Sequence, residues 1–116
     1  LLRYFDIHFQ SDLLVVLDDA ALPFGKLRLR ASGQDGGHRG LRSIEQTLGS
    51  KSYARLRIGI APTHPVETPL EKYVLNPFEK SEEKKLETLL DRAAESCRTW
   101  LTSSIQQAMN LTNQPI

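Results

Sequence analysis

Only one cysteine, Cys97, occurs in the 116 residues, which excludes an internal disulfide and any zinc site built from several cysteines. Cys97 falls on the apolar face of an expected helix, where it reads as small core packing and not as a nucleophile. Long apolar runs are lacking too: none approaches the length of a membrane span, and no secretory signal is visible. The expected compartment is cytoplasmic, with a plastid or mitochondrial matrix as the alternative, and no membrane partner is expected. Two nucleotide-binding signatures are also missing. GQDGG is not followed by the Lys-Ser/Thr of a Walker A loop, and G-x-G-x-x-G cannot be written here. That argues against ATP and NAD. No methionine opens the chain, which starts at Leu1 inside the amphipathic LLRYFDIHF, so further sequence upstream is expected.

Apolar residues make up 40% of the chain, enough for a core in one domain of this length. A net charge of +1 says nothing about partners, but its distribution does. Between Lys26 and Arg57 stand eight basic residues (Lys26, Arg28, Arg30, Arg39, Arg42, Lys51, Arg55, Arg57) against two acidic ones, Asp35 and Glu45, a local +6 that leaves −5 elsewhere. Clustered Lys and Arg suit a polyanion, whose phosphates release counterions on contact. The alternative is a solvated charged face.

Periodicity supplies the elements. Leu1, Leu2, Phe5 and Phe9 recur at helical spacing. Leu13 to Leu17 form a continuous apolar run ending in Asp18 and Asp19, the pattern of a strand buried on both faces. After the turn-like LPFG, KLRLRA alternates, with Lys26, Arg28 and Arg30 on one side and Leu27, Leu29 and Ala31 on the other. SGQDGGHRG is a glycine-rich loop leading into a helix from about His38 to Leu48, with Gly49 as its stop. ARLRIGIA repeats the alternation and reads as a third strand, with Arg55 and Arg57 opposite Leu56, Ile58 and Ile60.

APTHPVETP is loop because Pro62, Pro65 and Pro69 break any ladder. A short helical LEKYVL and a connector NPFEK follow. From Ser81, its expected cap, a long helix carries one apolar stripe of Leu86, Leu89, Leu90, Ala93, Cys97, Trp100, Leu101 and Ile105. Glu82 and Glu83 suit its positive end, and the tail NLTNQPI is expected to fray. The order helix, strand, strand, helix, strand, helix makes an α/β chain with a small sheet, and strands upstream are expected to complete it.

Chemistry has few candidates. Asp18 and Asp19 stand at the carboxyl end of an expected strand, where open α/β sheets hold ligands. Either can orient a histidine, or simply end a strand. A metal on them needs His38 or Asp35 at no recognised spacing. His38 lies at a helix N-terminus, where a neutral, hydrogen-bonding imidazole is favoured; a turn histidine bonded to backbone is the alternative. His8 and His64 read as surface residues. Lys26, Arg28 and Arg30, placed near Arg55 and Arg57, form a rigid cationic surface for phosphates without interleaved aromatics, so contact by shape and charge is expected more than base readout.

LLVVLDDAALPFGKLRLR, GQDGGHRGLRSIEQTLGS and ARLRIGIAP, in this order, resemble the bacterial-type peptidyl-tRNA hydrolase family, with its Asp after a strand, L-P-x-G, basic strand, G-G-H-N-G-L and R-L-R-x-G-I. The likeness runs through the long C-terminal helix. ALPFGKLRL is also similar to the plant organellar branch, which includes relatives working in RNA splicing. The resemblance implies a mixed twisted sheet with flanking helices, residues 1–116 being the later, N-terminally incomplete part of one domain. It implies a monomeric hydrolase of translation that cleaves the ester between peptide and tRNA, with no cofactor and no metal. Asp18 matches the aspartate that orients the catalytic histidine. Lys26, Arg28, Arg30 and Arg57 match the basic surface for the tRNA acceptor end, and Gly36, Gly37, His38 and Arg39 match the substrate-binding loop.

Two departures stand out. The family's catalytic histidine, in an H-N-x-G context, is absent, so this chain alone is expected to be inactive. The asparagine of G-G-H-N-G is Arg39 here, a donor-only cation in place of a two-way hydrogen bonder. That feature favours the alternative, a non-catalytic, splicing-factor-like RNA-binding relative. A structural α/β domain without a nucleic-acid partner is the third reading.

Overall fold

The structure, a computed structural model, describes residues 9–33, 37–62 and 80–113. Its elements are α1 (Phe9–Asp12), β1 (Leu14–Pro23), β2 (Leu27–Arg30), α2 (Arg39–Leu48), β3 (Ala54–Ala61), α3 (Lys80–Thr102) and α4 (Ile105–Thr112). The sheet runs β1-β3-β2, with β1 parallel and β2 antiparallel to β3, so the expected mixed sheet with flanking helices is what forms. Residues 1–8, most of the first expected helix, lie outside the described residues. So do the segment 63–79, with LEKYVL and most of the NPFEK connector, and the loop positions 34–36.

Register explains the layers. Paired residues share a face, so Val15, Leu17 and Asp19 lie with Arg55, Arg57, Arg28 and Arg30, whereas Leu14, Val16 and Asp18 lie with Leu56, Ile58, Leu27 and Leu29. On the first face Leu17 packs with Leu41 of α2 and with Tyr53. On the second, Leu27, Leu29 and Leu56 pack with Leu89 and Ala93 of α3 and Ala108 of α4. The cationic alternation and the apolar alternation are thus two sides of one strand pair, each meeting a different layer.

The structure corrects four expectations. β1 is not buried on both faces: Val16 is half exposed, because among the described residues β1 has β3 as its sole neighbour and no helix closes over this position. β1 also continues to Pro23, so Asp18 and Asp19 end its regular ladder, just before a register shift, and do not end the strand. The long helix is divided. Ser104 accepts the Gln107 amide at 3.1 Å and caps α4 as a separate helix, while Ser81, expected as the cap of α3, is itself helical.

The division moves the stripe, leaving Leu90 and Leu101 exposed and burying Ser96. Thr112 donates to Ser96 Oγ at 2.6 Å, which in turn donates to the Arg92 carbonyl, a polar latch between α4 and α3. The fourth correction concerns the tail: residues 110–112 are helical, and the Asn113 carboxamide accepts the Leu29 amide at 2.9 Å and donates to the Leu29 carbonyl at 3.0 Å. Asn113 therefore occupies the outer edge of β2 as a neighbouring strand would. Cys97, on α3, packs against the core between that helix layer and the sheet as expected. Burial pushes its thiol up, which keeps it protonated.

Candidate functional site

The end of the regular β1 ladder and the start of α2 determine the site. α2 begins at Arg39 with His38 as N-cap, and the Leu41 amide donates to His38 Nδ1 at 3.3 Å. Imidazole rarely caps a helix, and glycine makes the arrangement possible: a Cβ at Gly40 would stand 2.9 Å from His38 Cε1. Accepting at Nδ1 places the proton of the neutral ring on Nε2. Nε2 lies 3.5 Å from Asp18 Oδ1, so His38 donates to Asp18. The Asp18 side chain is 66% exposed, leaving its remaining lone pairs open to a further donor. Asp18 and His38, twenty residues apart, are brought together; Gly37 and Arg39 flank the histidine and are exposed, and Gly36 lies outside the described residues.

Asp19 serves differently. Its Oδ1 accepts the Ala21 amide at 2.8 Å and its Oδ2 accepts from Arg57 at 3.3 Å, the Asp19 and Arg57 side chains being largely buried. Arg57 therefore enters the cationic surface with its charge already partly balanced. Lys26, Arg28 and Arg30 remain exposed.

Arg55 leaves that surface altogether. It is 1% exposed, donates to Glu45 at 3.3 Å and to the Lys51 carbonyl at 2.6 Å, and stacks over Tyr53 at 4.3 Å. The alternation put it on the cationic face correctly; what sequence reasoning missed is that α2 covers that end of the face and supplies a carboxylate. The available signal was Glu45 itself, an acid set among Leu41, Ile44 and Leu48 on the apolar side of α2. Asn113 carried no such signal. Among the described residues, no group of three or more His, Cys, Asp or Glu side chains is placed to hold a metal, and no helix is long and apolar enough to cross a membrane.

Fold and site together define an α/β domain that sets a carboxylate–imidazole pair at β1 of a sheet whose strand β2 carries exposed cations. Comparison with protein-family profiles matches residues 1–116 to peptidyl-tRNA hydrolase. The chain is 43% identical over 103 residues to the peptidyl-tRNA hydrolase of Cytophaga hutchinsonii, covering 89% of this chain and 54% of that one. It is 41% identical over 109 residues to that of Pseudothermotoga lettingae, covering 93% and 58%. Among solved structures, peptidyl-tRNA hydrolase from Acinetobacter baumannii superposes with a TM-score of 0.78 at 28% identity, covering 97% of this chain and 56% of that one. The chain belongs to the peptidyl-tRNA hydrolase family, and it spans about half the length of the relatives it matches.

Proposed function

We propose that this chain serves the hydrolysis of peptidyl-tRNA, contributing an active-site carboxylate and the surface for the tRNA acceptor end. The observation that carries the reading is the Asp18–His38 pair at 3.5 Å at β1, in one sheet with the exposed cations Lys26, Arg28 and Arg30 at β2. In that reading Lys26, Arg28, Arg30 and Arg57 meet phosphates, Arg57 held by Asp19, and Gly36, Gly37, His38 and Arg39 wall the substrate channel. Asp18 keeps lone pairs for orienting a general base. His38 is not that base: Nδ1 is occupied by the Leu41 amide and Nε2 carries the proton toward Asp18. In this reading water activation falls to the family's H-N-x-G histidine, a motif this sequence does not contain, so the chain alone is expected not to turn over. The expected setting is a soluble, monomeric enzyme of the cytoplasm.

The test is ester hydrolysis on a peptidyl-tRNA, by this chain alone and by the longest natural form of the protein. Turnover by the longest form that Asp18→Ala abolishes supports the reading; turnover by this chain alone, abolished by the same change, sinks the claim that a further base is required. Exposed Arg39 favours a second reading, a non-catalytic RNA-binding relative. Salt-dependent tRNA binding without turnover by any form selects it, and absence of both selects neither.

A further inference from the structure

We propose that the groove between the Phe24–Gly25 turn and α3 is an additional RNA-phosphate subsite, with Lys85 and Arg92 as its cations. The inference rests on the tRNA reading above and extends the surface beyond β2. A cavity of about 190 Å³ opens there, lined by Gly25, Lys85, Thr88, Leu89 and Arg92, roughly the space of six waters. Among the described residues its walls carry two cations and no carboxylate.

Lys85 is held in place, and among the described residues neither cation has a carboxylate partner. The Lys85 stem crosses the turn so closely that a Cβ on Gly25 would stand 2.6 Å from Lys85 Cε, and Lys85 Nζ lies 5.1 Å from the centroid of the buried Phe24 ring, a contact that orients an ammonium without cancelling its charge. Arg92 is half-buried, and among the described residues no carboxylate pairs with it. Glu95, one turn on, lines a smaller cavity on the other side of Arg92, but its carboxylate pairs with Arg98. Thr88 gives its hydroxyl proton to the Lys84 carbonyl, so it forms wall and leaves the donors to the two cations. A half-buried guanidinium with no counter-charge among the described residues, facing an open groove, suits an anion.

The anion is assigned as an RNA phosphodiester because Gly25 of the groove directly precedes Lys26, the first cation of the β2 row. The groove thus opens beside that row at the end of the edge strand, whereas Arg28 and Arg30 lie on the sheet face away from α3. Lys85 and Arg92 are seven residues apart on one helix, roughly 10 Å along its axis, a spread suited to successive phosphates of a strand more than to one small ion.

Binding of a deacylated tRNA, followed by fluorescence anisotropy over a range of salt, tests this. Lys85→Gln and Arg92→Gln should each weaken binding several-fold at low salt, and each should lower the salt slope by about 0.7–0.9, the value of one phosphate contact. Lys84→Gln removes the same charge from the same helix but from a residue lining a different cavity, and should leave the slope unchanged. Lys85 is exposed, so its variant keeps the test readable if Arg92→Gln unfolds. An unchanged slope in folded Lys85→Gln, while Arg28→Ala with Arg30→Ala flattens it, overturns the subsite alone. No salt-dependent binding by the unaltered protein overturns the tRNA reading and the subsite together. Lys85-dependent binding of inorganic phosphate with an unaltered tRNA slope overturns the assignment to RNA.

Discussion

His38 points its protonated Nε2 at Asp18 Oδ1, 3.5 Å away, because its Nδ1 is already committed to capping α2. One side chain therefore joins a helix start to a strand carboxylate, and the two functions separate by substitution. His38→Ala should cost about 1 kcal/mol of stability through the lost cap, whereas His38→Asn should recover most of that loss, asparagine being a good cap. Neither alanine nor a capping asparagine restores the donor to Asp18, so hydrolysis by the longest natural form should fall in both. Denaturant melts with single-turnover rates check this; equal activity in His38→Asn and the unaltered protein would remove the Asp18 contact from the mechanism. Nitrogen NMR of the ring should show Nδ1 unprotonated in the neutral form.

Arg55 and Glu45 are 1% and 8% exposed, and a buried ion pair broken on one side leaves the other charge stranded. Arg55→Ala should destabilise the fold by about 3–5 kcal/mol. Its effect on the salt slope of tRNA binding should be nil, in contrast to Arg28→Ala with Arg30→Ala. A folded Arg55→Ala variant with a flatter slope would return Arg55 to the binding surface.

Asn113 makes two hydrogen bonds to the backbone of Leu29, each contributing about 1 kcal/mol. Asn113→Ala should lower stability by about 1–2 kcal/mol and speed hydrogen exchange at the Leu29 amide. Asn113→Asp keeps an acceptor for that amide but loses the donor to its carbonyl, so amide protection should largely survive. Opening the edge of β2 also invites strand pairing between molecules, which sizing at rising concentration of Asn113→Ala detects.

Gly59 faces the β1 irregularity so closely that a Cβ would sit 2.1 Å from the Pro23 carbonyl oxygen. Gly59→Ala must push β1 away, and the Pro23–Ala61 end of the ladder with it. The cost should be about 1–3 kcal/mol or more, visible as a lower Tm; an unchanged Tm would show that β1 gives way freely after Asp19.

Cys97 is half-buried with its thiol pushed up, so little thiolate forms near neutral pH. Alkylation by iodoacetamide should be slower than for an unfolded control chain, and rise toward it in denaturant. Reaction at the control rate in the folded state would contradict the packing of α3 on the sheet.

Much of this was legible in the chain. The alternation of Lys26 to Ala31 and of Ala54 to Ala61 set both strands and which residues share a face, because the pleat has a period of two whatever surrounds it. His38 and Gly49 bounded α2 because caps are local chemistry. Helical spacing placed α3, and the motif order placed the family.

Tertiary structure decided the rest, since it depended on what each face meets. Arg55 and Arg28 share a face and a residue type, yet α2 covers one and leaves the other in solvent, so one is sealed to Glu45 and the other stays exposed. Leu90 and Leu101 fit an ideal stripe, but α4 docks through Ser96 and turns the buried line away from them. Asn113 and Leu29 are eighty-four residues apart, and no local pattern announces a contact made only when the last helix folds back on the sheet edge.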